Sequence, residues 1–310
     1  MVNNFLDIHP DVNTALNSGI PVVALESTVI SHGLPFPQNL ETALQLEKIL
    51  LDEGVQPATI AIINGRLKAG LSKQELELIA SPDNTPHKAS RRDLAGMISH
   101  EWSGGTTVAA SMIIAAMAGI RIMATGGVGG VHKHGEQTLD ISADLIELGR
   151  TPVAVVCGGP KAILDLPKTL EFLETQGVPV IGYKTDTLPA FYSRESDLPV
   201  DYRVNSAEQA AHLIECQLAL PDCGGLLICN PLPKADALPW EEISPKIEDA
   251  VFHAKKQGIH GKALTPFLFQ HLYEHHGNQL LQANLFILKH NTQLAAMIAR
   301  QFNNTHSHRT

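Results

Sequence analysis

The feature that most narrows what this chain can fold into is an alternation of short β-branched runs with longer stretches of helical periodicity. Val22 to Leu25, Thr59 to Ile63, Ile120 to Ala124, Val153 to Val156, Val178 to Gly182 and Leu226 to Cys229 read as strands. Between them, Leu40 to Leu51, Ala162 to Thr175 and Ala207 to Leu218 repeat apolar residues at helical spacing. Strands separated by helices join as parallel neighbours, and a parallel sheet needs cover on both faces. The pattern therefore predicts an α/β fold, with a largely parallel central sheet flanked by helices as an α/β/α sandwich. After Cys229 only helices are predicted, Glu241 to Gln257, Thr265 to Glu274 and Asn278 to Phe302, which either pack on the sheet or complete a neighbouring subunit. The expectation is one domain over residues 1–302, a proline-bearing connection from Asn230 to Pro239, and a polar, frayed tail over 303–310.

Composition excludes several classes. The 310 residues, 44% of them hydrophobic, suffice to bury a large core. A net charge of -9, from 23 basic against 32 acidic residues, argues against a nucleic-acid polymer as partner, so any bound phosphate needs a local pocket. The longest apolar run, Val108 to Ile120, is broken by Ser111 and falls short of the roughly 20 residues that span a bilayer. It reads as a buried helix over Thr107 to Ala118, stopped by Gly119, and no membrane segment is expected. Cys157, Cys216, Cys223 and Cys229 form no CxxC pair, and Met1 to Val12 does not resemble a secretory signal. A reducing, cytoplasmic setting is the expectation.

Ligands of open parallel sheets bind beyond the carboxyl ends of the strands, where four stretches carry candidate chemistry. Glu26 ends the first strand and reads either as a general acid or base or as a solvated carboxylate. Thr125-Gly126-Gly127-Val128-Gly129-Gly130 lets backbone approach an anion, but lacks the spacing of a dinucleotide fingerprint. Asp140 and Asp144 are spaced i, i+4 at the start of a helix predicted over Ile141 to Leu148; they suit either a hard cation, with His132 and His134 nearby, or the helix dipole. Cys157-Gly158-Gly159-Pro160-Lys161 leads into a helix predicted to start near Pro160, where the dipole would favour a neutral, nucleophilic Lys161. The basic cluster of Lys88, Ser90, Arg91 and Arg92 suits a phosphate or an exposed helix start.

Taken in order, these stretches resemble the pseudouridine-5'-phosphate glycosidases, the indigoidine synthase A-like family, from Pro21 to about Ile298. The likeness rests on Val23 to Thr28, Ile30 to Gly33, Lys88 with Ser90 to Leu94, Thr106 to Ala109, Ala124 to His132, Asp140 to Leu145 and Gln176 to Tyr183. Asn230-Pro231, Gly261-Lys262 with Thr265 to Leu268, and Ala283-Asn284 complete it. The resemblance implies reversible cleavage of pseudouridine 5'-phosphate to uracil and ribose 5-phosphate, with a divalent metal, typically Mn2+, in a homotrimer. It further implies Lys161 as the nucleophile that forms a sugar imine, Glu26 as proton donor and acceptor, and Asp140 as metal ligand. Lys88, Val108, Thr125, His132, Ser142, Ala143, Asp144 and Asn284 would be substrate-binding positions.

The chain departs from the family pattern at two places. Gly158-Gly159-Pro160 stands where the family carries Ala-Gly-Ala, and His134-Gly135 where it carries Gly-Ala. The alternatives are a Schiff-base lyase or isomerase acting on another phosphosugar, and a non-catalytic binder of a nucleotide or sugar phosphate.

Overall fold

A computed structural model describes residues 2–84, 86–276 and 278–307. Its strands are β1 (Leu6–Ile8), β2 (Val22–Leu25), β3 (Gln56–Ile63), β4 (Arg66–Ala69), β5 (His87–Ala89), β6 (Gly104–Thr106), β7 (Ile122–Ala124), β8 (Ala154–Cys157), β9 (Val180–Tyr183), β10 (Tyr202–Val204) and β11 (Leu226–Cys229). The helices are α1 (Pro10–Asn17), α2 (Gln38–Asp52), α3 (Lys73–Ala80), α4 (Leu94–Ser99), α5 (Val108–Met117), the single turn α6 (Gly135–Thr138), α7 (Ala143–Leu148) and α8 (Leu166–Thr175). They continue with α9 (Ala207–Leu218), α10 (Trp240–Lys256), α11 (Leu264–His276) and α12 (Asn278–Ser307).

The sheet runs β1-β4-β3-β2-β7-β8-β11-β9-β10, and every pair from β3 to β10 along this order is parallel. All four residues of β2, β8 and β11 are buried, as continuous apolar runs in a doubly covered sheet must be. Successive side chains go to opposite faces. Val22, Ala24, Val155, Cys157 and Leu227 join the core beneath α1, α5, α7 and α8. Val23, Leu25, Ala154, Val156 and Ile228 join a second core beneath α2, α9 and α12. Each fully buried Val, Leu or Ile contributes about 1.5–3 kcal/mol, which fixes the register of these short strands.

The expected α/β/α sandwich is therefore what forms, with corrections at its margins. The sheet is mixed at one edge: β4 runs antiparallel to β3, and β6 pairs antiparallel with the same strand. The β3–β4 turn is Asn64-Gly65, both at positive φ (47° and 72°), a two-residue hairpin signal that the strand pattern alone passes over. No helix starts at Pro160. Asp165 caps α8 by accepting the Lys168 N–H at 3.1 Å, with Pro167 in the first turn, so residues 160–165 are loop. The C-terminal helices pack on their own chain, since α12 supplies Leu281, Leu288, Leu294 and Ile298 to the second core. The expected tail begins inside α12, which runs on to Ser307; residues 308–310 lie outside the described residues. Among the described residues no helix is long and apolar enough to cross a membrane.

Candidate active site

The chain leaves β2 toward β3 on one side and places β7 on the other, so a crevice opens at the carboxyl ends of β2 and β7. The register pairs Leu25 with Ala124, which sets the next residues, Glu26 and Thr125, side by side. The Thr125 hydroxyl donates to Glu26 Oε2 at 2.7 Å. Glu26 is 8% exposed, and burial pushes its carboxyl above the usual range, while the Lys161 ammonium, the Thr125 bond and Lys88 pull it down. A carboxyl held between these influences is fit to give and take a proton.

Lys161 enters the same crevice on a rigid loop. The segments after β7 and β8 zip together: Gly158 N–H donates to the Gly126 carbonyl at 2.9 Å, Val128 N–H to Gly159 at 3.2 Å, and Lys161 N–H to Val128 at 3.0 Å. Close approach makes the glycines necessary. A Cβ on Gly127 would lie 2.6 Å from the Phe191 ring, and Gly159 adopts a φ of +90° against the Pro189 carbonyl. Lys161 is thus placed by backbone pairing between two glycine loops, which corrects the expectation that a helix N-terminus positions it.

About 470 Å³ of empty space, part of it open to solvent, is bounded by Glu26, Thr125, Lys161, Lys88, Asn284 and the glycine loop. Lys88, on β5, is held below the usual lysine range, at about 8, by burial and by the Lys161 charge, with Asp144 and Glu26 opposing. Lys88 Nζ donates to the Lys262 carbonyl at 3.3 Å, while Arg91 pairs with buried Glu147 and Lys262 with Asp93. The Thr28 hydroxyl lies in the lining, buried and with no hydrogen-bond partner among the described residues. Such an orphan marks where a ligand's polar atom would be received.

The remaining wall comes from residues given no role in the sequence reading, apart from Asn284, which the resemblance marked as substrate-binding. His32 sits in the wide turn Val29–Gly33, hydrogen-bonded to Ser31 at 2.7 Å, and burial drives its pKa down to about 4, so it is neutral at pH 7. Phe191 and, from α11, Thr265, Pro266 and Phe269 close the apolar side. Asn284 of α12 donates to the Tyr273 hydroxyl at 2.7 Å. About two turns later, Asn291 donates to the carbonyl of Thr125 at 2.8 Å and accepts from Asn230, fastening α12 to the glycine loop. Asn284 was expected from the resemblance, and a second buried asparagine on the same helix was the available signal for Asn291.

The other predicted positions stand behind this wall. Asp140 and Asp144 do not form a paired site on one helical face. Asp140 precedes α7, whereas Ser142 caps the helix by accepting the Asp144 N–H at 3.2 Å. The Asp144 carboxylate, 4% exposed, accepts Ala109 N–H on one oxygen and Gly129 N–H on the other, both at 2.9 Å. It ties α5, which Val108 opens, to the glycine loop; Val108 is buried and Ala143 half-buried in the first turn of α7. Asp140 is half-buried, and its carboxylate bonds no described residue. His132 is lowered by burial, with Asp140 opposing and Lys161 and Lys88 adding to the shift. A lone hard oxygen donor with an imidazole alongside suits a small divalent cation that keeps most of its waters.

A sequence profile of the indigoidine synthase A-like proteins matches residues 11–301. This chain belongs to that family. Family members include the pseudouridine-5'-phosphate glycosidases of Hahella chejuensis, 51% identical over 97% of this chain and 99% of that protein, and of Geobacillus kaustophilus, 52% identical over the same shares. Among solved structures, the prealnumycin C-glycosynthase AlnA in complex with ribulose 5-phosphate superposes with a TM-score of 0.89 at 37% identity, covering 98% of this chain and 99% of its own. An indigoidine synthase A-like protein of Thermotoga maritima gives 0.88 at 31% identity, covering 96% and 97%. The family's fold and the sheet described above are the same.

Proposed function

We propose that this chain is a pseudouridine-5'-phosphate glycosidase, cleaving the C–C glycosidic bond to uracil and ribose 5-phosphate through an imine on Lys161. The observation that carries the reading is the meeting of Glu26, Lys88 and Lys161 in one crevice, in a chain about half identical, over nearly its whole length, to glycosidases of that name. The C-glycosynthase relative holds a pentose 5-phosphate on the same fold, which supports the sugar-phosphate half of the reading.

The carbon of uracil is a poor leaving group, so the chain must supply both an electron sink and a proton. The Lys161 amine bonds to the anomeric carbon as the ring C–O bond opens, with Glu26 moving the proton between amine and ring oxygen. The C–C bond then breaks as uracil carbon is protonated, leaving the sugar as an imine on Lys161. Water adds to that imine and expels the amine, so the net reaction consumes one water. Lys88, when charged, meets the 5-phosphate, Asn284 presents amide groups to the base, and Phe191 and Phe269 exclude solvent from the base. Thr125 and His132 flank the sugar end, and Ser142, Ala143 and Asp144 hold the loop that faces it.

Asp140 would hold a divalent cation such as Mn2+, which when bound would supply positive charge to offset the charge of the substrate. A homotrimer in the cytoplasm completes the reading, tested by light scattering of the purified protein and by fractionation. The reaction itself is tested by chromatography of pseudouridine 5'-phosphate incubated with the protein, plus and minus Mn2+. Release of uracil and ribose 5-phosphate is expected, together with a borohydride-trapped pentose phosphate on Lys161 that Lys161→Ala abolishes. No uracil release, or trapping on a different lysine, would reject the reaction or the nucleophile respectively.

A further inference from the structure

Outside the crevice, α10 and α11 bring together a second set of metal-ligating side chains. Asp249 and His253 are one turn apart on α10, and His271 reaches them from α11. Their ligand atoms all lie within 4.8 Å of one another, with His271 Nε2 2.9 Å and His253 Nε2 3.5 Å from the two Asp249 oxygens. His271 is only 7% exposed, whereas Asp249 and His253 are partly open to water. The His271 ring stacks with His253 at 4.9 Å and with His275 at 4.1 Å, and the His275 Nδ1 bonds the His271 carbonyl at 3.0 Å.

We infer that Asp249, His253 and His271 form a second metal site, for a divalent transition ion of the zinc or cobalt class. Two imidazole nitrogens and one carboxylate, with the remaining positions open to water, match the nitrogen and oxygen preference of Zn2+, Co2+ and Ni2+. Manganese lies at the weak end of the affinity order for such sites, so this one is chemically distinct from the single carboxylate Asp140.

The position gives the ion a task. On α11, Phe269 lines the crevice while His271 lies about 200° further round the helix, where it meets Asp249 of α10. An ion bridging the two helices would pin the crevice-lining helix from behind, raising its resistance to unfolding without touching substrate. The inference holds whether or not the glycosidase reading does, since its readout is metal binding.

The test uses Co2+ alone as probe, added to chelator-stripped full-length protein carrying Asp140→Ala, which silences the other carboxylate. The expected result is one Co2+ bound per chain, with the visible absorption of a low-symmetry nitrogen–oxygen site and a raised melting temperature. Adding His253→Gln, at a partly exposed position, should weaken binding at least tenfold and remove the melting shift while leaving the circular dichroism spectrum unchanged. Binding that is absent in Asp140→Ala protein, or that survives His253→Gln undiminished, would overturn the assignment. If the His253→Gln protein loses its native spectrum, Asp249→Asn serves in its place, and undiminished binding there overturns the assignment equally.

Discussion

Replacing Asp144 with alanine should destabilise the protein even without substrate. The carboxylate accepts two backbone N–H groups at 2.9 Å from segments 20 residues apart, Ala109 and Gly129, and is almost fully buried. A hydrogen bond to a charged group contributes about 1.5–3 kcal/mol, so two bonds set a ceiling of about 6 kcal/mol. Removing a buried carboxylate also relieves its desolvation cost, which offsets part of the loss. The net expectation is a loss of about 3 kcal/mol, because both N–H groups stay buried without a partner. At about 2–4 °C per kcal/mol for chains of this size, the melting temperature should fall by roughly 6–12 °C. Asp144→Asn keeps one acceptor and turns an amide N–H2 toward the other donor, so it should recover no more than half. Urea titration followed by circular dichroism, with no ligand present, reads the difference. A loss under about 1 kcal/mol in the alanine variant would refute the view that Asp144 fastens α5 to the glycine loop and return it to a purely ligand-facing role.

Four further outcomes bear on the site. Glu26→Gln should slow turnover roughly 10²–10⁴-fold, the usual span for losing a general acid or base, with little change in substrate affinity; near-wild-type turnover would remove that role. Because burial raises the folded-state pKa of Glu26, its stabilising contribution is complete below the unfolded value near 4 and is lost as pH rises through the folded one. The glutamine variant should therefore gain stability relative to wild type toward neutral pH and lose that advantage in acid, which denaturation at several pH values measures. With Lys88 near 8, kcat/KM for the phosphorylated substrate should fall above that pH as the ammonium is lost; Lys88→Arg should move the alkaline limb upward, and an unmoved limb would dissociate Lys88 from phosphate. Asp140→Ala should weaken Mn2+ binding measured by calorimetry, and unchanged affinity would exclude it as the ligand.

Much of this was legible in the sequence because the sheet is doubly covered. Buried parallel strands must be apolar throughout, so Val22–Leu25 and Leu226–Cys229 were read to the residue, and Glu26 and Lys161 were found by looking just past strand ends. The physical reason first given for Lys161 was wrong. Its placement depends on Val128, Gly126 and Gly159 pairing across two loops more than 30 residues apart, which no local rule contains. The same limit hid Asn291 and Phe191, whose roles exist only once distant segments meet. Asp140 and Asp144 show the converse: their i, i+4 spacing was real, yet the helix begins between them and sends one carboxylate to backbone donors. The edge hairpin escaped for a simpler reason, since its Asn-Gly turn was printed in the chain but lay just beyond the strand pattern.

The bond from Asn291 to the Thr125 carbonyl joins residues 166 positions apart, and Asn284 reaches the crevice from the same helix. During synthesis, then, a nascent chain that has already made Glu26, Lys88, Thr125 and Lys161 still lacks the wall that finishes their pocket. The early segments can pair as strands, but the face that α12 covers stays exposed until α12 itself has been translated. Catalytic competence would therefore appear late and abruptly, and fragments stopped before α12 are expected to be chaperone clients with no partial activity.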